Sequence, residues 1–309
     1  MHVAVTGSTG LIGSALVRLL VAEGHTVTRL TRSQTHRSSD PSGQVDEANW
    51  DPGGGTVDTG ALAAADAVVH LAGKGIASGR WTDAAKREIR ESRARGTRLL
   101  AETMAGLADG PRVLVSASGV HYYGDRGDEV LTERSGPGGG FLAEVCRAWE
   151  GAADPARAAG LRVVHVRTGV TQTREGGSLP RQLPLFRLGL GGRFGSGRQW
   201  WSWVSLHDVA GIYRHALVSD GLEGAVNATA PNPVTNAEFT ATLARVLGRP
   251  ALAPVPRLGP RLVLGEMAEE LLFYSIRVQP EATLASGYRF RWPELEPALR
   301  HLLNRPTAA

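Results

Sequence analysis

Residues 6–13, with the sequence Thr-Gly-Ser-Thr-Gly-Leu-Ile-Gly, form a glycine-rich loop close to the start of the chain. Residues 2–5 before it are a short, partly β-branched run suited to a buried strand. Residues 11–23 after it place leucine and isoleucine at helical spacing, which gives that segment one apolar face. A strand, a glycine turn and a helix in this order predict a dinucleotide-binding unit.

Each glycine of this loop has a separate physical role. Gly7 permits a tight turn, Gly10 lets the backbone approach a pyrophosphate, and Gly13 lets the helix pack closely on the strand. The free N–H groups of the first helical turn then face the phosphates, where the helix dipole favours negative charge. The cofactor contacts predicted from the loop are Gly7, Thr9, Gly10, Leu11, Ile12 and Gly13.

The second predicted strand, residues 26–31, indicates which dinucleotide is bound. An NAD site usually ends this strand with a carboxylate that accepts a hydrogen bond from the ribose 2′-hydroxyl. Here the strand ends at Thr31-Arg32, and no carboxylate lies between residues 24 and 40. A guanidinium pairs with a 2′-phosphate, so we predict NADP(H), with Thr31 and Arg32 at the site and Arg32 as the discriminating residue. The alternative is that Arg32 is a solvated surface charge. Three arginines lie in this window: Arg29, Arg32 and Arg37.

The composition fits a globular α/β protein. The chain has 309 residues, a length sufficient for one large domain and a smaller lobe. Hydrophobic residues make up 42% and charged residues 21%, which is typical of globular proteins. No apolar stretch is long enough for a membrane span and the N-terminus enters a strand directly, so we expect a cytoplasmic protein without a membrane partner. The single cysteine, Cys146, excludes an internal disulfide and a metal site built from several thiolates, and we predict no metal.

The net charge of +4 does not by itself indicate nucleic-acid binding. Only Lys74 and Lys86 are lysines, and the arginines are spread along the chain rather than gathered with aromatic residues into a basic block. We therefore expect no nucleic-acid partner.

The remaining pattern alternates strands with helices, which predicts a Rossmann-type, doubly wound parallel sheet with a smaller C-terminal substrate lobe. Residues 180–197 are rich in glycine and arginine and predict a loop-helix-loop. We divide the chain into an NADP-binding domain, residues 1–249, and a small helical domain, residues 250–309. The predicted strands are 67–71, 113–116 and 161–166, and the predicted helices are 82–107, 141–159, 260–273 and 293–303.

Several further motifs resemble those of the extended short-chain dehydrogenase/reductases, which include nucleotide-sugar epimerases and dehydratases. A Leu-Ala-Gly motif stands at 71–73, and Val-Ser-Leu-His-Asp at 204–208 is similar to a motif of that superfamily's substrate lobe. More specifically, the chain resembles an atypical subgroup named epimerase family or cell-division-inhibitor-like proteins, with its own C-terminal domain. The motifs that carry this resemblance are Arg80-Trp81, Tyr122-Tyr123, 141–150, 187–192 and 195–197.

The resemblance implies further cofactor contacts. Those on the adenosine and phosphate side are Leu71, Ala72, Gly73, Glu88 and Arg93, and those near the nicotinamide are Ser116, Val170 and Thr171. For each of them the alternative is a packing residue or a helix surface charge.

The superfamily's proton transfer depends on Tyr-x-x-x-Lys within one helix, because residues four apart share a face and the lysine lowers the tyrosine pKa. No such pair exists in this chain, and the corresponding positions hold Leu142 and Cys146. Ser118 remains where the catalytic serine is expected, and Tyr122 and Tyr123 follow it. These three are the candidate catalytic residues. The alternative is that the tyrosines wall the pocket without exchanging protons.

The substrate lobe also departs from the superfamily. Trp201 takes the position at which sugar-nucleotide enzymes often carry a diphosphate-binding arginine, and Arg198 lies three residues earlier. Trp201 and Trp203 either line a pocket for a less charged ligand or pack in the core. The predicted function is an NADP(H)-binding oxidoreductase or epimerase-like enzyme acting on a small molecule. The alternative is a non-catalytic NADP-binding sensor or interaction protein; neither the substrate nor the oligomeric state follows from these motifs.

Overall fold

The computed structural model describes residues 1–32, 43–251 and 253–306 as an α/β fold. The strands are β1 (His2–Thr6), β2 (Thr26–Thr31), β3 (Val45–Asp51), β4 (Thr56–Val57), β5 (Ala67–His70), β6 (Val113–Gly119), β7 (Val130–Leu131), β8 (Arg162–Thr168), β9 (Val170–Gln172), β10 (Trp200–Trp201), β11 (Trp203–Ser205), β12 (Gly224–Ala228), β13 (Val234–Thr235) and β14 (Arg277–Val278).

The helices connect these strands. They are α1 (Leu11–Ala22), α2 (Thr59–Ala63), α3 (Asp83–Gly106), α4 (Phe141–Gly151), α5 (Asp154–Ala158), α6 (Leu179–Arg187), α7 (Leu206–Val218), α8 (Asn236–Leu247), α9 (Leu258–Leu264), α10 (Glu266–Ala268), α11 (Glu281–Ala285) and α12 (Leu295–Leu302), with a 3-10 turn at Val120–Tyr123 and a π-helical turn at Glu269–Phe273. Among the described helices, none is long and apolar enough to cross a membrane.

The central sheet has eight strands in the order β12-β8-β6-β5-β1-β2-β3-β4. All neighbouring pairs are parallel except β3 and β4. The chain runs outward from β1 to β3 on one side and resumes at β5 on the other, so the strand order reverses between β1 and β5. Such a reversal opens a crevice at the carboxyl ends of the strands. The predicted doubly wound parallel sheet is confirmed.

Helices cover both faces of this sheet. On one face, α1 and α7 bury Leu16 and Ile212 against valines of the central strands. On the other, α3 and α5 bury Leu100 and Ala156 against Leu114 of β6. The strands are therefore apolar on both sides, as a parallel sheet in this setting requires.

The C-terminal residues return to the main body of the fold. Leu299 of α12 shares a core with Phe239 of α8, and β14 pairs with β7. This arrangement brings residues 266–278 against the loop that follows β6. The predicted boundary after residue 249 stays a prediction.

The structure differs from the local sequence predictions at several places. The predicted helix 141–159 is two helices, because the chain turns between α4 and α5 and Pro155 lies in the first turn of α5. Trp201 and Trp203 lie on separate short strands because the backbone breaks at Ser202, whose hydroxyl donates to the Ile276 carbonyl and accepts from the Val278 N–H. Both tryptophans are buried in one hydrophobic cluster, so the core-packing alternative is the one observed.

A further difference is the strand β3, for which the sequence carried no prediction. Its sequence, Val-Asp-Glu-Ala-Asn-Trp-Asp, buries Val45, Ala48 and Trp50 and exposes Asp46 and Asn49 between them. Such spacing is typical of a strand near a sheet edge rather than of a central parallel strand.

Candidate functional site

The glycine loop brings the end of β1 into direct contact with the end of β5. Gly7 has a φ of +65°, and a Cβ there would lie 2.8 Å from both the Ala72 nitrogen and the Leu71 carbonyl carbon. Only glycine allows both this conformation and this approach. Leu71 and Ala72 are half-buried at the point where the strand order reverses.

The start of α1 is packed onto the same loop. A Cβ at Gly13 would lie 2.2 Å from the Gly7 carbonyl oxygen, so glycine is needed there also. Gly10 donates its N–H to the Gly7 carbonyl at 3.0 Å and occupies the N-cap position, where no described side chain caps the helix. The N–H groups of Leu11, Ile12 and Gly13 are thus open to an anion in front of the helix, beside the exposed Thr9.

At the end of β2, the half-buried Thr31 is followed by an exposed Arg32. The Nε of Arg29, two residues earlier, is buried and has no hydrogen-bond partner among the described residues. Arg37 lies outside the described residues. The described part of this edge thus holds two arginines and no carboxylate of β2.

Behind the glycine loop, a hydrogen bond of His70 connects the ends of β1 and β5. Its Nδ1 is 2.7 Å from the Thr6 hydroxyl oxygen, which also accepts the Leu71 N–H at 3.2 Å. Burial, with the nearby charge of Arg93, lowers the His70 pKa to about 3, so the ring is neutral at physiological pH. Sequence reasoning missed this residue; a histidine inside the apolar run of β5 is the signal that marks it.

Arg93 fixes the loop that follows β5. It donates to the carbonyls of Lys74 at 2.8 Å and Ile89 at 3.0 Å, and its guanidinium lies 4.9 Å from the centre of the Trp149 ring. Burial lowers the Arg93 pKa to about 10, and it remains cationic. A Cβ at Gly73 would lie 3.1 Å from the Arg93 side chain, so the two predicted residues are in contact.

Glu88, by contrast, is exposed on α3 and forms an ion pair with Lys74. Its carboxylate therefore contacts the side chain of Lys74, which belongs to the loop after β5. On the far side of the crevice, Val170 and Thr171 are half-buried on β9, where the Val170 N–H donates to the Ser202 carbonyl at 2.8 Å. The following segment reaches α1, since a Cβ at Gly176 would lie 3.4 Å from the Leu11 side chain.

Ser116 and Ser118 lie on the same face of β6, and both are buried. The Ser118 hydroxyl donates to the Glu150 carboxylate of α4 at 2.7 Å. Glu150 also accepts two hydrogen bonds from Arg167 of β8, at 2.9 and 2.8 Å. Arg167 stands in register with Ser118 on one side and with Asn227 of β12 on the other, so the three side chains point to one face of the sheet.

The Arg167–Glu150 pair is almost fully removed from solvent, with side chains 4% and 13% exposed. Burial alone lowers the Arg167 pKa, but the hydrogen bonds and charge of Glu150 outweigh it and raise the pKa above its ordinary value. The guanidinium is therefore a permanent cation. Sequence reasoning missed this pair, although a charged residue inside the apolar run of β8 is a signal that could have found it.

The two candidate tyrosines occupy different environments. Tyr123 is fully buried; its hydroxyl donates to the Asn227 side chain at 2.8 Å and accepts from Arg167 at 3.0 Å. Burial raises the Tyr123 pKa to about 12. Tyr122 is half-buried, and its ring lies 3.4 Å from the central carbon of the Arg167 guanidinium. The structure therefore joins all three catalytic candidates through Arg167 and Glu150.

The positions that correspond to the missing tyrosine and lysine are both buried in α4. Leu142 is 4% exposed and Cys146 is 5% exposed. Burial, with the charge of Glu150, raises the Cys146 pKa to about 11, so the thiol stays protonated. Neither residue supplies the cation that a lysine supplies in the superfamily, and the fixed cation nearest to the tyrosines is Arg167.

Two family models match the chain. The NAD dependent epimerase/dehydratase family matches residues 3–228, which include every strand of the central sheet. A domain of unknown function, DUF1731, matches residues 255–302.

Similar proteins span nearly the whole length. The epimerase family protein Mb2239 of Mycobacterium bovis is 42% identical over 304 residues, 98% of either chain. A crystal structure of the human epimerase family protein SDR39U1 with NADPH superposes with a TM-score of 0.87 at 36% identity, covering 98% of this chain and 99% of that one. A nucleoside-diphosphate sugar epimerase from Corynebacterium glutamicum has a TM-score of 0.79 at 40% identity, covering 98% of this chain and 58% of that one. The chain therefore belongs to the NAD-dependent epimerase/dehydratase family, as an atypical extended short-chain dehydrogenase/reductase of the SDR39U1-like type.

Proposed function

We propose that the protein binds NADP(H) in the crevice between β1 and β5 and acts on a small molecule as an oxidoreductase or epimerase-like enzyme. The observation that carries this proposal is the backbone cradle at Gly7, Gly10 and Gly13, where added Cβ atoms at Gly7 and Gly13 would collide with backbone and the N–H groups of α1 stay open. These residues fit a dinucleotide because its pyrophosphate needs both close backbone approach and unpaired N–H donors.

The preference for the phosphorylated dinucleotide rests on Arg32. It is exposed at the end of β2, where an NAD site presents a carboxylate to the ribose. A guanidinium there would pair with the 2′-phosphate. The human SDR39U1 structure, determined with NADPH, supports the same choice.

When bound, the cofactor supplies a hydride donor or acceptor, and the protein must orient the partner and handle the proton. The Ser118 hydroxyl donates its proton to Glu150, so its oxygen keeps the capacity to accept a hydrogen bond from a substrate hydroxyl. Tyr123 has both hydroxyl functions engaged by Asn227 and Arg167. We therefore assign the proton-exchanging phenol to Tyr122, beneath the Arg167 cation, and a supporting role to Tyr123.

The test combines binding with turnover. We expect NADPH to bind the purified protein more tightly than NADH by titration of cofactor fluorescence. We also expect a panel of aldehydes and ketones, including sugar derivatives, to contain a compound that drives NADPH oxidation. Tyr122→Phe should then abolish turnover and leave the Kd for NADPH unchanged. Tighter binding of NADH, or turnover that survives in Tyr122→Phe, would contradict these assignments.

A second candidate function is a non-catalytic NADP(H) sensor. It is favoured by Leu142 and Cys146, whose burial leaves no Tyr-x-x-x-Lys chemistry on α4. The sensor predicts tight cofactor binding with no oxidation of NADPH by any compound of the panel. It also predicts that NADPH and NADP⁺ stabilise the protein to different extents in thermal unfolding.

A further inference from the structure

The helix α4 begins without a cap of its own. Its N-cap residue is Gly140, which has no side chain to accept from the first turn. The first N–H groups of a helix are costly to bury without an acceptor. Leu142 is buried, so its N–H needs a partner inside the protein.

The missing acceptor comes from the C-terminal domain. One carboxylate oxygen of Glu270 accepts from the Phe141 N–H at 2.7 Å and the other accepts from the Leu142 N–H at 2.9 Å. Glu270 is only 3% exposed, so a carboxylate has been placed in the interior for these two contacts. Its charge also lies at the positive end of the helix dipole.

Two backbone features make this approach possible. Glu270 lies in the π-helical turn Glu269–Phe273, a rare geometry that is frequently found at functional sites. Gly140 has a φ of +106°, and a Cβ there would lie 2.9 Å from the Tyr274 hydroxyl and 3.1 Å from the Glu270 carboxylate. The Glu270 backbone carbonyl is also 3.2 Å from the His121 ring nitrogen. This contact connects the π-helical turn to the 3-10 turn Val120–Tyr123, which we call the tyrosine loop.

Two residues of α4, the helix that Glu270 caps, contact the predicted site residues Ser118 and Arg93. Glu150 of α4 accepts the Ser118 hydroxyl, and Trp149 of α4 stacks against Arg93. Helix α4 is one continuous helix of 11 residues, so we expect a displacement of its first turn to shift both contacts. Ser118 and Arg93 therefore depend on the position of α4.

We propose that Glu270 is a positioning residue through which the C-terminal domain sets α4, and with it Ser118 and Arg93, at the cofactor crevice. This assigns a task to a domain that the family comparison leaves without a function. The effect on cofactor affinity rests on the proposed function; the effect on the order of residues 118–123 does not.

The test uses the full chain with Glu270→Ala and Glu270→Gln. Glu269→Gln is the matched control, because Glu269 is in the same turn but, among the described residues, its carboxylate forms ion pairs with Arg257 and Arg261 and not with α4. We measure amide hydrogen exchange at Phe141 and Leu142 and across residues 118–123, the Kd for NADPH well below the unfolding transition, and the Tm.

We expect Glu270→Ala to raise exchange about tenfold at Phe141 and Leu142 and across residues 118–123, and to raise the Kd about fivefold, which is the scale of a lost cap. Glu270→Gln should fall between it and the wild type because one acceptor oxygen remains. Glu269→Gln should match the wild type in exchange and Kd.

A purely structural cap would lower the Tm without changing the Kd or exchange across residues 118–123, and that result overturns the proposal. Equal effects of Glu269→Gln would also overturn it, because they would reflect general loosening of the domain. If the wild type binds neither dinucleotide, the proposed function fails, and exchange across residues 118–123 alone decides the role of Glu270.

Discussion

Arg32 stands exposed where β2 ends, with no carboxylate of that strand to offer to a ribose hydroxyl. We predict that Arg32→Asp lowers the affinity for NADPH about 10- to 100-fold, the scale of one lost charge-assisted hydrogen bond. The same change should raise the affinity for NADH because the new carboxylate can accept from the 2′-hydroxyl. Titration of both dinucleotides into the variant measures the two effects.

The control for this prediction is Arg112→Asp, which makes the same charge change at an exposed site just before β6. Arg112 therefore lies at the amino ends of the parallel strands, whereas Arg32 lies at their carboxyl ends. It should leave both affinities within about twofold of the wild type, since surface charges a Debye length away are screened. A similar loss of NADPH affinity in both variants would mean that Arg32 acts only through net charge.

The glycine of the first turn offers a second prediction at this scale. Gly7→Ala adds a Cβ 2.8 Å from the Ala72 nitrogen in a residue with φ of +65°, so strain and collision act together. We predict a loss of at least about 3 kcal/mol of unfolding free energy, by urea titration.

Gly24→Ala separates these two causes. Gly24 has a φ of +81° but nothing within 4 Å of an added Cβ. Its replacement should cost only about 1 to 2 kcal/mol, the price of the left-handed conformation alone. Equal losses for the two variants would show that the backbone around Gly7 moves to accommodate the added Cβ without a further loss of stability.

At the scale of elements, the row formed by Ser118, Arg167 and Asn227 joins three strands beneath the tyrosine loop. Arg167→Met would leave the Glu150 carboxylate buried with the Ser118 hydroxyl as its remaining hydrogen-bond partner among the described residues. We predict a loss of about 3 to 5 kcal/mol of unfolding free energy, because an uncompensated buried charge is costly. Chemical denaturation measures it.

The matched control is Arg98→Met on α3. Arg98 and Glu102 are 56% and 57% exposed and 3.5 Å apart, so solvent screens their interaction. Its loss should cost less than about 1 kcal/mol. If Arg167→Met is equally mild, water or a proton must compensate the charge of Glu150, and the predicted cost of an unpaired Glu150 is wrong.

Individual helices and strands can be predicted from the sequence, whereas contacts between distant elements cannot. The β1–α1 unit follows from glycine spacing, and α3 follows from helical periodicity. Thr82 is the N-cap of α3, and its side chain accepts from the Ala85 N–H. The buried cluster does not follow from such patterns, because Ser118 and Arg167 meet only through strand register. Nor does the cap on α4, whose acceptor, Glu270, is 128 residues away from Leu142.

At the scale of the whole molecule, the sheet and the returning C-terminal residues bury His70 and His165 and partly cover a third histidine, His121. Burial is the largest cause in each case, and it lowers their pKa values to about 3, 4 and 4. The native state keeps these rings neutral, whereas the unfolded chain protonates them below a pH of about 6.5. Their burial therefore links the stability of the whole fold to pH.

The sign of this linkage is fixed by the direction of the shift. A histidine with a lowered native pKa contributes stability that is fully present above the unfolded pKa of 6.5 and is lost as the pH falls from 6.5 toward about 4. Each such ring contributes a slope of up to about 1.4 kcal/mol per pH unit in that window. Unfolding free energies measured by urea titration between pH 7 and 4.5 should fall accordingly.

His165 isolates one of these contributions. Its Nε2 lies 3.0 Å from the Arg157 guanidinium, so it accepts a hydrogen bond that a protonated ring would lose. His165→Gln removes the titrating group at similar volume, and the difference between variant and wild type cancels every other group that titrates. We predict that the variant is relatively more stable by about 1.4 kcal/mol for each pH unit below 6. Parallel pH profiles for the two proteins would mean that His165 gains its proton without unfolding, and that water reaches this side of the sheet.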